Sequence, residues 1–167
     1  MIMEKNIDYY GQIAQGYNEL HREEQEKKLA IIKEFIKPKK SDKLLDVGCG
    51  SGISSQWNCT ITGIDPSNKL IDIAKKNYPK QTFLVGSAEK LPFEDKSFDI
   101  VISLTAIQNF DDIQKGLSEI KRVGKRTFAL TFLKKSDKSK TILRLIEDIF
   151  DVKEVIEEEK DYIIIIN

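Results

Sequence analysis

Leu44-Leu45-Asp46-Val47-Gly48-Cys49-Gly50-Ser51-Gly52 is the stretch that decides how this chain is read. Its apolar start suits a strand buried in a parallel sheet. The three glycines that follow stand at alternate positions, where they let the backbone turn sharply and let a ligand approach where a Cβ would clash. A strand running into a glycine loop is how an α/β sheet builds a nucleotide site at its carboxyl edge. The dinucleotide fingerprint is G-x-G-x-x-G. Gly48 and Gly50 fit its first two positions, but Ile53 takes the third and Gly52 comes one residue early. Asp46 lies on the strand itself, where that pattern requires no acid.

Outward from this point, strand and helix patterns alternate. Before it, Leu29, Ile32, Phe35 and Ile36 share one helical face over Glu23 to Lys37, and Pro38 marks the stop. After it come strands over Thr60–Ile64, Gln81–Val85, Phe98–Leu104 and Thr127–Phe132. The fourth, Phe98–Leu104, is nearly all apolar and therefore central. Helices are expected from Ser67, as cap, to Tyr78 with Leu70, Ile71 and Ala74 inward, from Asp111 to Arg122, and from Thr141 to Phe150. Val152–Ile156 and Tyr162–Ile166 form a hairpin across Glu158–Asp161. The pattern predicts an α/β fold, a three-layer α-β-α sandwich with a mostly parallel seven-stranded sheet and a C-terminal antiparallel hairpin.

Residues 1–167 read as a single domain, long enough for a core of ordinary size. Apolar residues make up 40% and charged residues 32%, with 27 basic and 27 acidic side chains. That balance offers no general electrostatic case for a nucleic-acid or membrane surface. No apolar run reaches transmembrane length, and the first residues lack the apolar core of a signal peptide. Cys49 and Cys59 are too few for a disulfide framework or a zinc site, so no metal is expected and the setting reads as reducing and cytoplasmic. His21, the only histidine, reads as an exposed residue ahead of a charged helix. No Ser-His-Asp set or Cys-His pair can be assembled.

Asp65 closes the second strand in Gly63-Ile64-Asp65-Pro66-Ser67. An acid there, beside the glycine loop, can accept hydrogen bonds from both hydroxyls of a ribose; as a turn acid it would only organise the chain. The order D-x-G-x-G-x-G, with Asp65 after it, resembles the first motifs of the class I S-adenosylmethionine-dependent methyltransferases. The resemblance extends from about Tyr10 to Ile166. Gly86-Ser87-Ala88-Glu89-Lys90-Leu91-Pro92-Phe93 is similar to the segment that passes under the adenine, with Ser87 where the family usually carries an acid. Phe98–Ser103 resembles the fourth motif, and Leu104–Phe110 the pocket floor, with Gln108 where many small-molecule enzymes carry a His. Tyr9, Tyr10 and Tyr17 resemble the lead-in of the methyltransferases related to quinone-biosynthesis enzymes, in which such a segment, here 1–22, is a lid.

The resemblance implies S-adenosylmethionine as cofactor, becoming S-adenosylhomocysteine. It implies contacts from Asp46, Gly48, Cys49, Gly50, Gly52, Asp65, Pro66, Ser87, Ala88, Glu89, Ser103, Leu104 and Tyr17. Gln108 and Tyr10 are the substrate candidates. No catalytic residue is assigned, because the sulfonium carries its own activation and the protein mainly aligns the incoming nucleophile. The expected activity is methyl transfer to a small-molecule acceptor. One alternative is an RNA or protein methyltransferase needing a small activator subunit, which would pair with the edge strand 81–85. Another is a binding module without catalysis. Lys134, Lys135, Lys138 and Lys140 are expected on the cofactor's edge of the sheet, as an attraction for an anionic substrate or as a solvated linker. Lys121, Arg122, Lys125 and Arg126 belong at the opposite edge. Only Ile53–Thr60 separates the glycine loop from the next strand, which predicts a very short first helix there and a thin pocket wall.

Overall fold

A computed structural model describes residues 2–167 of the chain, with side chains from residue 19 onward. Its elements are α1 (Ile2–Phe35), β1 (Lys43–Val47), β2 (Thr60–Asp65), α2 (Asn68–Asn77), β3 (Thr82–Val85), β4 (Phe98–Ser103), α3 (Ile113–Val123), β5 (Gly124–Leu133), α4 (Ser139–Ile149), β6 (Glu154–Glu157) and β7 (Asp161–Ile166), with a 3₁₀ turn at Ile107–Asn109. They build one seven-stranded sheet in the order β3-β2-β1-β4-β5-β7-β6. The first five strands in that order are parallel, and β7 pairs antiparallel with both β5 and β6. The expected sandwich and hairpin are both present.

Period-2 alternation sorts the strand residues onto two faces. Leu45, Val101, Phe128, Leu130 and Ile164 face a core completed by Leu117 and Ile120 of α3 and Ile142 and Ile146 of α4. Leu44, Ile100, Ile102, Ala129, Ile163 and Ile165 face the other way, onto Leu29, Ile32 and Ile36 of α1. The strands are apolar on both faces because both faces are covered. A smaller cluster of Cys49, Ile71, Ala74 and Phe83 seats α2.

Four expectations are corrected in detail. α1 runs from Ile2, well before Glu23, so the apolar stripe marks only its docked half. Among the described residues no helix lies between β1 and β2, not even a short one: turns fill the twelve positions from Gly48 to Cys59. β5 begins at Gly124 rather than Thr127, because Lys125 and Arg126 remain exposed on the strand's entry. Ser67 caps α2 by accepting from the Leu70 amide, as expected, but Leu70 itself is 38% exposed while Ile71 and Ala74 are buried.

The docking of α1 rests on few residues, since the rest of the described helix is mostly polar. Ile32 is fully buried at the centre of its contact. Ile32→Ala should therefore cost about 2–5 kcal/mol, the range for a deleted core aliphatic. Urea denaturation checks this; a loss below about 0.5 kcal/mol, the level of an ordinary surface change, would mean that α1 is not part of the cooperative fold.

Candidate active site

The sheet order reverses between β1 and β4, and an open parallel sheet splays a crevice at the carboxyl ends of the strands there. A cavity of about 320 Å³ occupies this position. The glycine loop forms one wall with Gly48, Cys49, Gly50 and Ser51, backed by Ile53 and Ser54. Asp65, Pro66 and Leu70 bring in the end of β2 and the start of α2. Leu104, Thr105, Ala106, Asn109 and Phe110 form the wall after β4, and His21 and Gln25 of α1 close the remaining side.

The glycine loop is pinned from below. The amides of Gly48 and Cys49 both donate to the Ile64 carbonyl, at 2.8 and 3.1 Å. Gly48 has φ +75°, and a Cβ on it would lie 2.5 Å from the Ala106 Cβ, so the loop and the wall after β4 can touch only if residue 48 is glycine. Gly50, with φ +55°, is different: nothing lies within 4 Å of its missing Cβ. Its bare backbone borders the cavity, as a ligand-approach position should.

Asp65 is 9% exposed and lines the cavity. One carboxylate oxygen accepts from the Gly50 amide at 3.0 Å, the other from the Ser67 amide at 2.9 Å. Both sequence readings of Asp65 are thus compatible: it organises the turn, and each oxygen keeps a lone pair for a further donor.

Asp46 sits elsewhere. It is fully buried behind the loop, where one oxygen accepts from the hydroxyls of Ser54 at 2.5 Å and Ser55 at 2.7 Å. Burial pushes its pKa up to about 6 against the pull of those two hydroxyls, and the nearby Asp65 charge adds to the rise. It anchors the helix-free crossover together with Trp57, whose indole N–H donates to the Ser54 carbonyl, and Gln56, which donates to the Gly52 carbonyl. Lys33 of α1 donates to the Gln56 carbonyl and lies 5.1 Å from the centre of the Trp57 ring. These side chains tie down, from behind, the turns that stand where a helix would otherwise be.

Of the sequence candidates, Gly48, Cys49, Gly50, Asp65, Pro66 and Leu104 meet at the cavity. Asp46, Gly52, Ser87, Ala88, Glu89, Ser103 and Gln108 do not line it. Ser103 donates to the Val47 carbonyl and ties β4 to β1. Ser87 is exposed, Ala88 is buried in the α3–α4 core, and Glu89 accepts from the Asp112 amide. Gly86 nonetheless donates to the Asp65 carbonyl, which keeps that segment at the same sheet edge. Gln108 is turned back onto its own 3₁₀ turn, donating to the Thr105 carbonyl, and its neighbour Asn109 lines the cavity instead. Tyr9, Tyr10 and Tyr17 lie outside the residues whose side chains are described.

Thr105, Ala106, Asn109 and Phe110 line the cavity within the segment expected as the pocket floor, whereas His21, Gln25, Ser51, Ile53, Ser54 and Leu70 were not singled out as site residues from sequence. For His21 and Gln25 a signal existed: four residues apart, they share a helix face with Lys28 and Ile32. Burial lowers the His21 pKa, and the Lys28 charge lowers it further against the pull of Glu24. Gln25 is 5% exposed, and its Oε1 has no hydrogen-bond partner among the described residues. The cavity thus carries a buried acceptor oxygen that no donor among the described residues satisfies. Cys49 is no nucleophile, because burial holds its thiol far above its usual pKa. Lys138 reaches the Gln108 carbonyl at 3.4 Å, which places the lysine-rich loop beside this wall; Lys134 pairs with Glu157. On the opposite edge Arg122 is held by Glu119 and Asp95, and Lys125 by Asp99.

Comparison with known proteins gives a consistent result. A family model described as a methyltransferase domain matches residues 45–130. A demethylmenaquinone methyltransferase of Chlorobaculum tepidum is 37% identical over 93 residues, 53% of this chain and 38% of that protein. A ubiquinone/menaquinone biosynthesis C-methyltransferase of Campylobacter jejuni is 30% identical over 155 residues, 82% of this chain and 66% of that one. The chain spans 38–47% of the length of the first curated relatives it matches. The crystal structure of the PH0226 protein from Pyrococcus horikoshii shares the fold, with a TM-score of 0.76 at 22% identity over 88% of this chain and 90% of that one.

The raised pKa of Asp46 fixes the sign of a pH effect. A carboxyl whose folded pKa is above its unfolded value contributes stability at low pH and loses it as pH rises through the folded value. Between pH 4 and 7 the wild type should lose about 2 kcal/mol relative to Asp46→Asn. Urea titrations of both proteins across that range read this difference, in which their common groups cancel. A flat difference would show that Asp46 does not titrate as its burial demands.

Proposed function

The chain belongs to the methyltransferase-domain family, and we propose that it is an S-adenosylmethionine-dependent methyltransferase acting on a small-molecule acceptor. The observation that carries this reading is the cavity at the strand-order reversal, where the bare backbone of Gly50 and the carboxylate of Asp65 face the same space. A nucleoside needs both features: a wall without Cβ atoms and a buried acid with lone pairs to spare. The residues therefore fit the cofactor, with Asp65 on the ribose and Gly48–Ser51 along the amino-acid portion. The cofactor supplies a methyl group already activated by the positive sulfur.

The protein's part is alignment and exclusion of water. Leu104, Ala106 and Phe110 form a dry wall, and Gln25 offers an oxygen able to orient a hydroxyl or amine of the acceptor. At about 320 Å³ the cavity lies near the lower end of ligand pockets, ~300–1,000 Å³. That size favours an acceptor which inserts only its reacting group beside the cofactor. The relatives' names, methyltransferases of quinone biosynthesis and of malonyl-[acyl-carrier protein], are in keeping with such acceptors. Two free cysteines and no helix, among the described residues, long and apolar enough to cross a membrane fit our assignment to the cytoplasm.

Calorimetric titration with S-adenosylhomocysteine, with NAD as control, tests the reading. The former should bind at about one site per chain. Asp65→Ala should weaken it by about 1.5–3 kcal/mol, the range for hydrogen bonds to a charged group. Gly50→Val should abolish binding while leaving most of the sheet core intact: its Cβ meets no protein atom within 4 Å, and the strain of a β-branched residue at φ +55° falls on the loop alone. Binding of NAD alone, or unchanged affinity in a folded Asp65→Ala protein, would overturn the assignment.

A second reading has its own observation. β3 is a sheet edge, and Leu84 and Val85 on it are exposed, the feature expected of a strand that accepts another. An activator subunit paired there would suit an RNA or protein acceptor. Val85→Lys should then abolish co-purification of that subunit while the isolated chain still binds S-adenosylhomocysteine; a chain that purifies alone from its host excludes it.

A further inference from the structure

Thr105 has φ +52°, the left-handed region that a β-branched residue avoids. Every polar atom it has is engaged. Its amide donates to the Thr131 hydroxyl at 2.8 Å and to the Thr131 carbonyl at 3.2 Å, and its carbonyl accepts from Gln108 at 2.8 Å. Its own hydroxyl accepts from the Lys28 ammonium at 2.6 Å and donates to Asp161 at 2.7 Å. Lys28 and Asp161 are themselves an ion pair at 3.2 Å, with side chains 2% and 0% exposed. The pair joins α1 to the first residue of β7, and the residue it grips lines the cavity.

A buried charge pair is no economical way to add stability, since two apolar side chains of similar volume often do as well or better. Strained backbone persists only where its surroundings over-determine it. Here the two facts explain each other. We propose that Lys28 and Asp161 are positioning residues: they hold Thr105 in the left-handed conformation and thereby set the Leu104–Ala106 wall against the glycine loop. Ala106 is the residue that touches the bare face of Gly48, so relaxation of Thr105 to negative φ would move that wall off the loop. This inference rests on the reading of the cavity as the cofactor and acceptor site.

The test compares the wild type with Lys28→Met, with Lys28→Met/Asp161→Leu, and with Thr131→Val, which removes the hydroxyl that accepts from Thr105 while keeping its shape. Two quantities are read: the affinity for S-adenosylhomocysteine and the hydrogen exchange of the Thr105 amide in the ligand-free protein. Lys28→Met strands the Asp161 charge and should lower the melting temperature sharply; the double variant should recover most of that loss. Its affinity should nonetheless stay at least tenfold weaker than the wild type, with exchange at Thr105 at least tenfold faster. A double variant that is stable, binds as the wild type and keeps Thr105 protected would overturn the proposal, leaving the pair a stability device only. Where the double variant does not fold, Lys28→Met read below its melting temperature decides by the same two readings, with Thr131→Val, which keeps the pair and the Thr131 carbonyl contact, as the comparison that should lose less of both. A wild type that binds no S-adenosylhomocysteine would refute the cavity assignment, while the exchange rates would still decide whether the network positions Thr105.

Discussion

Twelve residues must carry the chain from the end of β1 to the start of β2, two parallel neighbours, and that constraint shapes the site. A parallel crossover normally spends a helix on this journey. Too short for one, this chain solves the return with turns, and turns leave backbone groups and side chains to be tied down individually. Asp46 beneath, Trp57 and Gln56 within, and Lys33 from α1 provide those ties. The glycine loop can then stay open toward solvent, because its anchorage lies behind it. An acid in the strand that at first sight belongs to the ligand is in this chain the foundation of the wall.

The sheet was legible because its strands are buried on both faces and flanked by Gly, Pro and Asp punctuation. Runs such as Phe98–Ser103 and Tyr162–Ile166 have few other ways to hide their side chains. Element ends were less legible. Lys125 and Arg126 stay exposed in β5, so burial gives no sign that the strand has begun. Leu70 looked inward by helical spacing, but the first turn of α2 overhangs the cavity, and an apolar side chain can face that space as readily as the core.

The site was legible where chemistry and backbone geometry coincide, at Gly48, Gly50 and Asp65. It was illegible where a residue's role depends on partners far along the chain. Lys28 lies in a run of charged residues and reads as one more solvated side chain; only the fold brings Asp161, 133 positions later, against it. Gln25 and His21 share that run. Gln108 differs for another reason: a 3₁₀ turn lets its amide satisfy the local backbone, and Asn109 lines the cavity instead.

These placements give α1 two jobs along one face. Leu29, Ile32 and Ile36 fasten its later turns to the sheet, and Lys28 fastens it to the wall after β4. The turns before them carry Gln25 and His21 over the cavity. Lys28 stands one residue from Leu29, so the apolar contacts and the buried charge hold the same stretch of α1, and a shift of that stretch would reach Thr105 through the Lys28 hydrogen bond. For a reaction that needs alignment more than it needs an acid or base, that coupling matters more than any single catalytic group.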